Sequence, residues 1–155
     1  MRTSKQSRAG FTLIEVIAVL TLTSIIGVFA AMLLSTSAQV YISDKNAAED
    51  SQKIQVAMNR LVKELTFAAA GTVSITGTGT VQWTSAHPDR LGEIQTATWN
   101  GTSGTNLTLG GAPLLNNVAN FSIISPTSDL ITITLSSARS TGVSNTTIVH
   151  PRYDL

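Results

Sequence analysis

Between Val16 and Ser43 the chain carries no charged side chain, and the most apolar stretch, counted from Phe11, ends at Leu34. A helix over that stretch meets the roughly 20 residues needed to cross a bilayer core. The competing reading is a secretory signal peptide, whose apolar region holds about 7–15 residues and ends in a small-x-small cleavage site. Here the run is longer and the small residue, Gly10, stands before it. A cut at Gly10 would leave the apolar helix on the mature chain.

Three cations, Arg2, Lys5 and Arg8, precede the run. Lys and Arg flanking a first membrane helix tend to stay in the cytoplasm, which places everything after about Ser35 across the membrane. Without these three residues, seven cations face nine acids, and the formal charge moves from +1 to −2.

Glu15 is the anomaly of the run. A carboxylate in hydrocarbon costs about 2.5–3.5 kcal/mol on insertion scales, so such a group is kept where it has a partner. If Phe11 became the N-terminus, its ammonium would lie four residues, about one helical turn, from Glu15. The pair could form within one chain or between one chain and its neighbour. The alternative is a Glu15 at the interface, with its head in water.

Gly10-Phe11-Thr12-Leu13-Ile14-Glu15 followed by an apolar helix resembles the N-terminus of the type IV pilin superfamily, which includes the pseudopilins of type II secretion. The resemblance covers Met1 to about Leu34. It implies that a prepilin peptidase cuts between Gly10 and Phe11, that the new Phe11 amine is N-methylated, and that Glu15 aligns subunits during assembly. It further implies a structural subunit of a pilus-like filament, anchored by a single pass in a bacterial inner membrane with its globular part outside the cytoplasm. The implied partners are other pilin or pseudopilin subunits, the peptidase, an inner-membrane assembly platform and membrane lipid. In such a filament, small residues such as Ala18, Gly27, Ala30 and Ala31 would permit close helix packing, and Gly27 would weaken the helix locally.

The domain plan is a leader over residues 1–10, a transmembrane helix over 11–34, an amphipathic continuation over 35–70 and a β-rich domain over 71–155. Ala47, Ser51, Ile54, Met58, Leu61, Leu65 and Ala68 recur at spacings of four and three, forming one stripe that is apolar except at Ser51. Gly71 stands where a C-terminal glycine is expected. Thr72–Thr76 and Thr80–Thr84 then read as a hairpin around Gly77-Thr78-Gly79, and Asn100-Gly101 follows a Thr96–Trp99 segment as a turn. Val118–Ile124 and Leu130–Leu135 form another hairpin, and a last strand covers Thr146–Val149. The fold class is α+β, a long N-terminal helix packed on an antiparallel sheet.

With no cysteine, the outer domain has no disulfide. Many major type IV pilins close a C-terminal loop with a cystine, so this departure favours a pseudopilin or minor subunit. Pro113–Phe121 and Arg60–Leu65 loosely resemble J-type pseudopilins and W-type minor pilins.

Catalytic motifs are missing, and no cofactor is implied: His87 and His150 each stand beside a proline, far apart, and no metalloprotease, nucleophile-elbow or phosphate-loop pattern occurs. Asp89 and Asp129 are the candidates for a calcium site of the kind some pseudopilins have, but no D-x-D-x-D loop supports it. A DNA-uptake subunit should show a basic footprint. After Gly71 the cations are Arg90, Arg139 and Arg152 against four acids, which argues against nucleic acid unless the arginines converge. A membrane-anchored periplasmic binding protein is the other alternative.

Overall fold

The computed structural model describes residues 11–69, 71–77, 79–127 and 130–151. The leader with Gly10, the predicted helix end at Ala70, and Asp129, Arg152 and Asp154 lie outside the described residues. One helix, α1, covers Leu13–Thr66, and the chain divides into two compact units at Ile42/Ser43.

The first unit is helix alone. Thr12 C=O accepts from the N–H groups of Glu15 and Val16, which starts the helix at Leu13, two residues after Phe11. The helix runs unbroken through Gly27. Its hydroxyls turn inward on their own backbone: Thr21 donates to Ala18 O at 2.9 Å, Ser24 to Leu20 O at 2.8 Å, Thr36 to Met32 O at 3.0 Å and Ser37 to Leu33 O at 2.8 Å, and Thr23 bonds Val19 O. Each of these five hydroxyls is thereby satisfied within the helix, as an apolar surrounding demands.

The second unit joins the rest of α1 to a seven-stranded antiparallel sheet whose spatial order follows the sequence: β1 Ser74–Thr76, β2 Thr80–Thr84, β3 Ile94–Thr98, β4 Thr105–Leu109, β5 Ala112–Thr127, β6 Leu130–Ser137 and β7 Ser144–Val149. This is the expected α+β class. Both predicted hairpins are present, with Thr76 opposite Thr80 and Thr127 opposite Leu130. The alternation of Ile131, Ile133 and Leu135 with Thr132 and Thr134 turns the former into the core. They meet Ile54, Ala57, Met58, Leu61 and Leu65 of α1 around Trp83, Leu107 and Val118. Each such aliphatic side chain contributes about 1.5–3 kcal/mol of transfer free energy. Among the described residues, the indole N–H groups of Trp83 and Trp99 are buried without an acceptor, and the packing shows no compensating contact.

Three expectations are corrected. The helix stops at Thr66, four residues before Ala70, because the backbone beyond it is captured by the sheet: Ala69 N–H donates to Thr84 O at 2.8 Å, Ala86 N–H to Phe67 O at 2.7 Å, and Ala68 bridges Ser85. Gly71, at φ 66°, therefore serves the turn into β1 and not the helix cap.

Ser51 is exposed, and Asp50 takes the place on the buried stripe. Asp50 wins the position because Ser137 and Ser140 present hydroxyls there.

Finally, β4 and the first half of β5 were not foreseen. Gly110 and Gly111, at φ 57° and 81°, form a tight primed-type turn between them. The stretch led by Pro113 is strand, and Asn117 at φ 55° kinks it so that Leu115 and Val118, three residues apart, both face inward.

Candidate functional site

In the first unit, every side chain from Phe11 to Ile42 is exposed, Phe11 itself to 77 %. The mean hydropathy of the most apolar window reaches 2.5, making α1 the one helix among the described residues long and apolar enough to cross a membrane. Apolar area left in water forgoes about 25 cal/mol per Å², so this surface calls for lipid or other helices. Glu15 lies in the first turn of α1, where the positive end of the helix dipole favours an acid. Among the described residues its carboxylate has no hydrogen-bond or ion-pair partner within the single chain. Phe11 stands just before the helix, and its relation to Gly10 lies outside the described residues.

Two clusters of the second unit pair charges within the chain. At one end Arg90, on the 3-10 turn Pro88–Arg90, donates to Glu64 Oε1 at 2.8 Å, and this bond with Glu64 raises the guanidinium pKa further above its ordinary value. His87 caps the turn, its Nδ1 accepting the Asp89 N–H at 3.2 Å, and its ring meets Phe67 edge-on at 4.9 Å.

At the other end Asp50, 6 % exposed, accepts from Ser137 Oγ and Ser140 Oγ, each at 2.8 Å. Arg139 approaches Glu49 and Asp50 at 3.7 and 4.0 Å and donates to Asn46 Oδ1 at 2.6 Å. Burial pushes the Asp50 carboxyl up. The two serine hydroxyls, with the charges of Arg139 and Lys53, together outweigh it and hold the carboxyl below its ordinary value.

Beside this cluster an open groove of about 600 Å³ runs between α1 and the start of β5, bordered by Lys53, Val56, Pro113, Leu114 and Arg139.

Arg90 and Arg139 do not converge. Their helix partners Glu64 and Asp50 stand fourteen residues apart on α1, about 21 Å of rise, and each arginine is tied to an acid. Asp89 is 87 % exposed beside His87, and among the described residues no group of three or more potential ligands could hold a metal ion. His150 is exposed. Sequence reasoning passed over Asp50 and Arg139. The available signal was an acid four residues before Ile54, in line with the apolar stripe.

The geometry is that of an exposed apolar anchor with an acid in its first turn, joined to a helix-on-sheet domain. Residues 5–33 match the family model of the prokaryotic N-terminal methylation motif. Over these residues the chain is similar to type IV pilin-like subunits, and the motif is one that goes with processing by prepilin peptidase and assembly with other pilins. Neither the curated proteins nor the solved structures contain a match to it.

Proposed function

We propose that this chain is a structural subunit of a type IV pilus-like filament, a minor pilin or type II secretion pseudopilin. In this reading the leader is removed between Gly10 and Phe11, the Phe11 amine is methylated, and Glu15 pairs with that amine to set axial register as the anchors bundle. The observation that carries the reading is the methylation motif set on a fully exposed helix that is uncharged from Val16 to Ser43. Desolvation gives Glu15 a strong need for a cation, and the amine generated four residues away supplies one. The absence of cysteine favours a minor subunit or pseudopilin over a cystine-closed major pilin. The commitment of Arg90 and Arg139 to acids of the same chain favours this reading over DNA uptake.

The test is the N-terminal mass of the protein recovered from cells with and without an active prepilin peptidase. A chain beginning at N-methylated Phe11 only when the peptidase is present is expected. A chain that keeps Arg2 to Gly10, or that is cut after the apolar helix, would overturn the reading and the role of Glu15 with it.

A further inference from the structure

In the second unit, the three most exposed large apolar side chains among the described residues stand at two separate places. Leu91 and Ile94, 73 % and 71 % exposed, flank the loop at the end where α1 finishes. That loop is fixed there by Arg90 on Glu64 and by Gly92 N–H on Ser85 O at 2.9 Å, with Ser85 bridged to Ala68. Val56, 69 % exposed, lies on the wall of the α1–β5 groove, about midway along the part of α1 that belongs to the unit. Val56 stands eight residues before Glu64, which holds Arg90, about 12 Å of helical rise. Patch and groove are thus set apart along α1.

The exposed charges at the two places are of opposite sign. Arg90 is committed to Glu64, and Arg139 to Glu49 and Asp50. Asp89 and Glu93, both exposed, bracket Leu91. His87 Nδ1 accepts the Asp89 N–H and stands 3.7 Å from Asp89 Oδ2. On the groove wall Lys53 is exposed and has no ion-pair partner among the described residues.

We propose that residues 87–94 of one copy dock into the α1–β5 groove of a second copy, Leu91 and Ile94 covering Val56 and Leu114 while Asp89 and Glu93 face Lys53. The proposal rests on the filament reading, taken for a subunit that follows itself in the stack, in which parallel copies bring the end of one domain towards the groove of the next. Such a contact is heterologous, leaving a free groove at one end of the stack and a free loop at the other, so it propagates. It is small, and it works because bundled anchors hold the copies at millimolar effective concentration.

Because the chain has no cysteine, paired thiols report the contact directly. Full-length chain carrying Leu91→Cys and Val56→Cys, expressed with an active prepilin peptidase, is treated with a mild oxidant and run without reductant. A bridge within one copy would run as monomer and would add nothing to a ladder. The expected result is a ladder of dimers, trimers and longer species, at least about tenfold stronger than any product of either single variant, as tethering at high effective concentration requires. Single variants can give symmetric dimers but no ladder.

Double variant recovered in filaments at parental levels without a ladder overturns the docking and leaves the filament reading standing. Parental chain that is never recovered in filaments overturns both. As a second measure, Lys53→Glu should lower filament yield, and adding Asp89→Lys with Glu93→Lys should restore it. Failure of the restoration counts against the charge pairing.

Discussion

Asp50 on α1 accepts the hydroxyl of Ser140, ninety residues further along the chain, at 2.8 Å, and both residues are buried. With Ser137 on the same oxygen, this contact fastens the last sheet connection to the helix. Replacing Asp50 with Ala removes the acceptor for two hydroxyls at once and is expected to lower the unfolding free energy by about 1.5–3 kcal/mol, the range for hydrogen bonds to a charged group. Ser137→Ala or Ser140→Ala alone should cost less. Urea unfolding of the detergent-solubilised chain measures all three.

The same carboxylate gives a pH dependence of known sign. Its folded pKa lies below its ordinary value, so its contribution is complete above that ordinary value and is lost as pH falls through the lower, folded pKa. Unfolding midpoints taken across about pH 2–6 should fall at the acid end, in a range typical of carboxylates. Asp50→Asn should flatten that part of the curve, and an unchanged slope would remove Asp50 from the account.

Burial separates two neighbouring positions on α1. Leu61 is fully buried against the sheet and Val56 is exposed. Leu61→Ala should destabilise by about 2–5 kcal/mol through the cavity it leaves, whereas Val56→Ala should stay within about 0.5 kcal/mol. Thermal unfolding of the two variants side by side tests the assigned helix face.

Gly79 holds φ 92°, and a Cβ there would stand 2.4 Å from Trp99 O, on the strand whose N–H bonds back to Gly79 O at 2.8 Å. Gly79→Ala should therefore cost about 1–3 kcal/mol from backbone strain and crowding. Gly77→Ala meets no neighbour within 4 Å, so it should cost only its own backbone strain at φ 64°. Near-UV circular dichroism reports Trp99 in each variant.

For Glu15 the expected phenotype is selective. Glu15→Ala should insert into membranes at least as well as the parent, because a carboxylate in the bilayer costs about 2.5–3.5 kcal/mol. It should enter filaments at least about tenfold less well if register is worth more than about 1.4 kcal/mol. Incorporation at parental level would sink the role of Glu15. A mild loss would point to a subunit at the tip, with no neighbour above it.

The anchor and the outer hairpins were legible because their signals are local. An uncharged run, a period-two alternation in Leu130–Leu135 and glycine-bearing turns do not depend on what lies across the fold. The errors share a different origin. Whether the helix ends at Thr66 or Ala70 is decided by Thr84 and Ala86 competing for the backbone of residues 67–69. Whether Asp50 or Ser51 faces inward is decided by hydroxyls near the end of the chain. β4 was hidden because Thr105–Leu109 is short and its partner strand opens on Pro113, which a sequence pattern marks as a breaker.

The Asp50 seam also imposes an order on synthesis. Chains emerge N-terminus first at roughly 5–20 residues per second, so some 4–18 s pass between the appearance of Asp50 and that of its serine partners. Meanwhile successive strands can zip to their immediate neighbours, since the sheet order follows the chain. The helix keeps a solvated acid on the face it must later bury. Closure of that face thus reports that translation has reached Ser140, and a prematurely ended chain would carry an unsealed helix that quality-control proteases can recognise.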